Sequence, residues 1–206
     1  MYLFLNRSFI LLIIVVLMVF INVMGGCAEE PVTETAELYV APLVEEAISI
    51  NGSKEDYPGE SITVAGSMEV LMAHDGSSLY LYARSETDGW VALGFNSQGG
   101  GMDGANILIG YLHENDSPAV RNDLGQGHSH SETTNGVEEY HIERGNGEII
   151  MELAYPLDFP AEGGFNLQGL NPGQEAVYTM IAAFNANSHD PNRQHSRFDM
   201  ESFTLE

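Results

Sequence analysis

Met102 stands where a methionine has little to pack against: four of the six residues from Gly99 to Gly104 are glycine. Glycine frees the backbone to take positive φ angles and to approach a partner closely, so the thioether between them is presented rather than buried. A soft sulfur on a loop suits copper or haem iron, whereas a hard cation would prefer the carboxylates nearby. The same residues also fit a methionine that caps the end of a core. Seven histidines supply further candidate ligands. His128 and His130 alternate in GHSHSETTNG (127–136), so an extended backbone puts both rings on one side, and His113 or His141 could join them around copper or zinc. His74 precedes an Asp-Gly turn and is expected at the surface, and His189 lies in the turn-like ANSHDPN (186–192). No paired acid/base carboxylates, no G-x-S-x-G and no free cysteine nucleophile stand out, so no enzymatic activity is expected.

The elements that must carry these residues read as strands. MEVLMAHDGSSLYLYARS (68–85) alternates apolar and polar residues on both sides of a turn and predicts a hairpin. Further strands are expected at ISING (48–52), 90–95, 105–112, 137–143, 148–155, 176–184 and 198–205, with no sustained helical period. Strands at this spacing predict an all-β fold, an antiparallel sandwich of immunoglobulin-like two-sheet architecture. Two connections exceed what a hairpin needs: 96–104, which carries Met102, and about 116–136, which carries His128 and His130.

The first 26 residues differ from the rest. Arg7 is their only charge, and Phe9–Met24 is almost wholly apolar, the pattern of an export signal. Met-Gly-Gly then leads directly into Cys27, the single cysteine. This resembles the lipobox of prokaryotic lipoproteins and implies lipidation at Cys27 with the domain held outside the cell membrane; an uncleaved anchor helix is the other reading. Residues 27–46 are acidic, contain two prolines and read as a flexible tether, leaving 47–206 as the folded domain. Beyond residue 26 the chain carries 30 acids against six bases, a formal charge of −24. Such a surface excludes nucleic acid and repels anionic lipid headgroups; it serves solubility, or docking to a basic redox partner.

The order of motifs resembles the DOMON family. Trp90-Val-Ala-Leu-Gly-Phe95, the glycine loop around Met102 and the apolar strand ending at Gly110 match its W-x-A-x-G-F and G-M-x-G-A elements. MELAYPLDF (151–159), AVYTMIAAFN (176–185) and QHSRFDMESFTLE (194–206) continue the likeness to the end of the chain. Asn106 departs from it, standing where members often have Asp. The resemblance implies a β-sandwich that binds either haem b or sugars. For haem-binding members it implies axial ligation by Met102 and His195, and His195 is preferred to His189 for its H-S-x-R context. Trp90, Phe95, Tyr178 and Met180 are then candidates to cover the porphyrin, or ordinary core, and Arg193 and Arg197 are candidates to reach its propionates. The implied role is one-electron transfer with a redox partner protein or membrane carrier. The alternative is a carbohydrate or surface-ligand module, for which Tyr39, Tyr57 and Tyr140 are the candidate platforms.

Overall fold

The computed structural model describes residues 38–95, 97, 101–133, 136–159, 170–172 and 176–206. The expected export segment 1–26 and the expected lipidation site Cys27 lie outside the described residues. Twelve strands form two sheets. The first contains seven strands in the order β1 (Tyr39–Ala41), β12 (Arg197–Leu205), β11 (Tyr178–Asn185), β5 (Trp90–Phe95), β6 (Asn106–Leu112), β7 (Pro118–Gln126) and β8 (Ser129–Glu132). The second contains β2 (Ile62–Val64), β3 (Met68–His74), β4 (Ser78–Ser85), β10 (Glu148–Pro156) and β9 (Glu139–Gly145). All pairings are antiparallel except that of β1 with β12. This is the sandwich that the strand spacing predicts.

The two-residue period decides what each strand contributes. Val91, Leu93 and Phe95 of β5 face inward with Leu108, Met180, Ala182 and Phe184, against Leu79, Leu81, Met151 and Leu153 of the other sheet. Phe95 is fully buried, and its ring lies 6.0 Å from Phe159 and 5.9 Å from Phe203. Tyr178 packs on Phe203, so Phe95, Tyr178 and Met180 belong to the interior rather than to an external ligand face. Across the sandwich Asn122 donates to the Tyr155 hydroxyl at 2.7 Å, and that hydroxyl donates to Asn106 at 3.4 Å. Asn106 therefore joins a buried polar contact between the sheets.

Four local expectations change. Residues 118–126 and 129–132 form β7 and β8 instead of a long loop, because the polar Arg121, Asn122 and Asp123 are buried and hide the apolar alternation that marks a strand. ISING is not a strand; it crosses the outer face of the five-stranded sheet, where Ile48 and Tyr57 pack on Leu71, Tyr80 and Tyr82. Part of the expected tether is folded, since Tyr39–Ala41 pairs with β12 and the Tyr39 hydroxyl accepts from the Met72 amide at 2.9 Å. The compact unit accordingly begins at Leu38 rather than at 47. His74 is fully buried rather than at the surface. The strand-like contact of Leu43 with His74 and the bond from the Val44 amide to the His74 carbonyl lay the incoming chain over it.

Two consequences are measurable. Truncating Phe95 to Ala removes the ring on which Phe159 and Phe203 pack and should cost about 3–5 kcal/mol in a denaturant titration. Burial holds the His74 imidazole below its ordinary pKa, outweighing the carboxylates of Asp75 and Glu206. The unfolded chain then takes up the proton first, so stability is full above about pH 6.5 and falls as pH drops through that value. His74→Leu should flatten this part of the melting-temperature profile between pH 7 and 5; an unchanged slope would show that His74 does not contribute.

Candidate functional site

The same alternation that fills the interior leaves a second apolar surface on the outside of the seven-stranded sheet. Trp90 and Ala92 of β5, Ile107 and Ile109 of β6, and Ile181 and Ala183 of β11 form it. Every residue of β5 is buried, on both faces. At the centre sits Gly94, where an added Cβ would lie 3.3 Å from Ile107 and 3.4 Å from Ile181. Glycine and alanine in the middle of this floor leave a depression of about 450 Å³, a size typical of small-molecule sites. Trp90 to Gly94 spans roughly 14 Å of strand at about 3.4 Å per residue.

Met102 and His195 both line this pocket. They arrive from opposite ends of the central strands: the loop carrying Met102 follows the end of β5, whereas His195 lies between β11 and β12, beside the β5 start that Asn185 pairs with. Each is fixed by its backbone. Gly104 takes a φ of +73°, the Ala105 amide donates to the Met102 carbonyl at 2.9 Å, and the Gly104 amide donates to Gly125 of β7 at 3.0 Å. An added Cβ on Gly125 would lie 1.7 Å from the Met102 carbonyl oxygen, so only glycine permits this approach. The Asp103 carboxylate accepts from the Gly127 amide at 2.9 Å and ties the loop to the β7–β8 turn. At the other end, Asn185 donates to the Gln194 carbonyl at 2.6 Å and the Ser196 amide donates to Phe184 at 2.8 Å, clamping both neighbours of His195. The His195 ring packs on Phe198, 5.4 Å between centroids. Burial, helped by the nearby His130, holds its pKa below the usual histidine value and keeps it neutral, the form that can ligate a metal.

The walls are polar. His128, Ser129 and His130 stand on the β8 side, Asn192 and Arg193 on the side of His195. Behind His130 is a buried charge pair: Arg121 donates to Asp123 at 2.6 Å, Asp123 contacts the His130 Nδ1, and Arg121 reaches across to Asn192 at 3.1 Å. Trp90 is 3% exposed, and its indole N–H has no hydrogen-bond partner among the described residues. Far from the pocket Lys54, Arg84 and Arg144 are ion-paired with Glu69, Glu148 and Asp116, while Arg193 at the mouth is 74% exposed with Asp190 3.7 Å away. The pocket mouth thus carries an exposed cation, loosely paired with Asp190, in a strongly acidic chain.

Other expected residues lie elsewhere. Arg197 pairs with the interior-facing Phe184, so alternation turns it to the opposite side of the sheet from Phe198, and it does not reach the pocket. His189 faces the Arg144 guanidinium, 3.0 Å from either ring nitrogen. His113 packs edge-on against Tyr111, and His141 lies on β9 in the other sheet. Among the described residues no three His, Cys, Asp or Glu side chains are grouped to hold a metal ion, so copper or zinc at His128 and His130 lacks a third such ligand. Of the aromatic platforms, Tyr57 is buried, Tyr39 is half-buried and Tyr140 is exposed. Gly125, Asn185, Asn192 and the Arg121–Asp123 pair escape the sequence reading; recognising β7 as a strand would have put Arg121 and Asp123 on one face.

No protein-family model matches the sequence, and a search of curated proteins finds no match. Among solved structures, the chain is similar to the cytochrome b domain of pyranose dehydrogenase from Coprinopsis cinerea, with 15% identity, a TM-score of 0.46, and coverage of 66% of this chain and 74% of that one. It is similar to the cytochrome domain of Myriococcum thermophilum cellobiose dehydrogenase, with 16% identity, a TM-score of 0.44 and coverage of 68% and 74%. A family 9 carbohydrate-binding module from Caldicellulosiruptor kristjanssonii in complex with glucose aligns with 9% identity, a TM-score of 0.44 and coverage of 82% and 96%. Likenesses of this size leave the function to be argued from the pocket.

Replacing Gly125 by Ala forces a backbone apart rather than a side chain, at a cost of about 1–3 kcal/mol. Hydrogen exchange at the amides of Gly104, Ala105 and Gly125 should accelerate, with the amides of β3 and β4 unchanged.

Proposed function

We propose that this chain is an extracytoplasmic DOMON-type cytochrome that binds haem b non-covalently between Met102 and His195 and relays single electrons. The observation that carries the proposal is that a thioether and an imidazole, far apart in sequence, line one apolar pocket. The residues fit the group. The floor of Ala92, Gly94 and Ala183 is apolar, the neutral imidazole and the sulfur form a donor set suited to iron, and the Trp90 N–H and the exposed Arg193 would offer a donor and a cation to the group's carboxylates. When bound, the group supplies a one-electron couple whose potential is raised by thioether ligation. The protein's part would be to hold the iron through Met102 and His195 on two braced loops and to keep water from the pocket floor. Met-Gly-Gly-Cys27 supports a lipid tether at the outer face of a prokaryotic membrane, and the net charge favours a partner with a basic docking surface. The sugar-binding alternative has less to stand on, since only Tyr140 of its three platform candidates is exposed.

The purified full chain titrated with hemin should give sharp low-spin bands on reduction, and His195→Ala should abolish them while leaving the circular dichroism of the sandwich intact. Absence of a low-spin spectrum in the wild type, together with calorimetric heats on a glycan panel, would replace the cytochrome reading by the binding-module one.

A further inference from the structure

We propose that His130 is a reserve ligand on the Met102 side of the pocket, able to take the sulfur's place opposite His195. The inference rests on the haem reading above.

Register places it there. His130 pairs with Gly125, the residue against which the Met102 backbone is pressed, and the Asp103 to Gly127 bond joins the two loops. His130 and Met102 therefore line the pocket from the β7–β8 side, and His195, held by its own loop, lines it from between β11 and β12. The ring is also prepared. Asp123 is fully buried and an ionised carboxylate only accepts, so its contact with His130 puts the hydrogen on Nδ1. In the neutral ring the lone pair is then on Nε2, which has no hydrogen-bond partner among the described residues. A carboxylate behind an imidazole fixes the tautomer and raises its basicity, the arrangement that orients metal-ligating histidines. Arg121 compensates the buried Asp123 and, through Asn192, ties this wall to the loop of His195. A solvated loop histidine would need no buried ion pair behind it. His128, two residues earlier, is exposed and has no such support.

The test uses the full chain and hemin as the probe. Met102→Leu, which keeps the loop's packing, should remain low-spin with the electron-paramagnetic signature of two nitrogen ligands and a reduction potential below that of the wild type. Met102→Leu/His130→Phe should become high-spin. Adding Asp123→Asn to Met102→Leu should weaken hemin binding roughly 10–100-fold, the scale of a lost outer partner. In the protein without hemin, nitrogen-15 spectra should show the His130 hydrogen on Nδ1 and lose that preference in Asp123→Asn. A wild type that binds hemin normally beside a high-spin Met102→Leu would overturn this inference alone, as would a double variant that stays low-spin. A wild type with no low-spin spectrum would overturn the haem reading and this inference with it.

Discussion

The central strands of the seven-stranded sheet are apolar on both faces, and the rest of the molecule answers that constraint. Inward, Val91, Leu93 and Phe95 are covered by the second sheet. Outward, Trp90, Ala92, Ile107, Ile109, Ile181 and Ala183 would meet water if nothing lay over them. A strand buried on both sides is ordinary in a three-layer protein, but here no third layer of helices exists among the described residues. Two loops and a hairpin serve instead. They cover the rim of the surface and leave its middle open, which turns a packing requirement into a candidate site.

The cost of that site is carried by its polar wall. Arg121 and Asp123 are almost wholly removed from water, and a buried ion pair rarely gains over an apolar pair of the same size. Its presence makes more sense as geometry than as stability, because one guanidinium reaches His130 on the β8 side and the loop of His195 at once. The two braced loops thus share an anchor, so the spacing between the pocket's ends follows from covalent and hydrogen-bonded distances rather than from the ligand.

What could be read in the sequence follows from which forces leave local marks. The hairpin at 68–85 and the strands expected at 90–95, 148–155 and 198–205 were legible because alternation and turn residues act within a few positions. Met102 was legible because glycines around a methionine waste its packing value, and His195 through a resemblance of motif order. The strands β7 and β8 were not, since their buried face is polar and its partners, Asn192 and Tyr155, come from distant positions. Arg197 was misplaced for a related reason: two residues from His195 seems close, but the turn ends at Ser196 and strand parity then decides the side. Gly125 shows the same limit, because its need to be glycine lies in a backbone more than twenty residues away.

The pocket's position outside the sandwich interior separates two properties that many cofactor proteins merge. Where a prosthetic group fills the centre of a fold, the empty polypeptide is half-molten and must meet its cargo early. Here the hydrophobic nucleus is complete between the sheets, so the sandwich can fold with the outer depression empty. Under the proposed function, loading then becomes a late step, and the floor can change its occupant over evolutionary time without the scaffold having to be rebuilt.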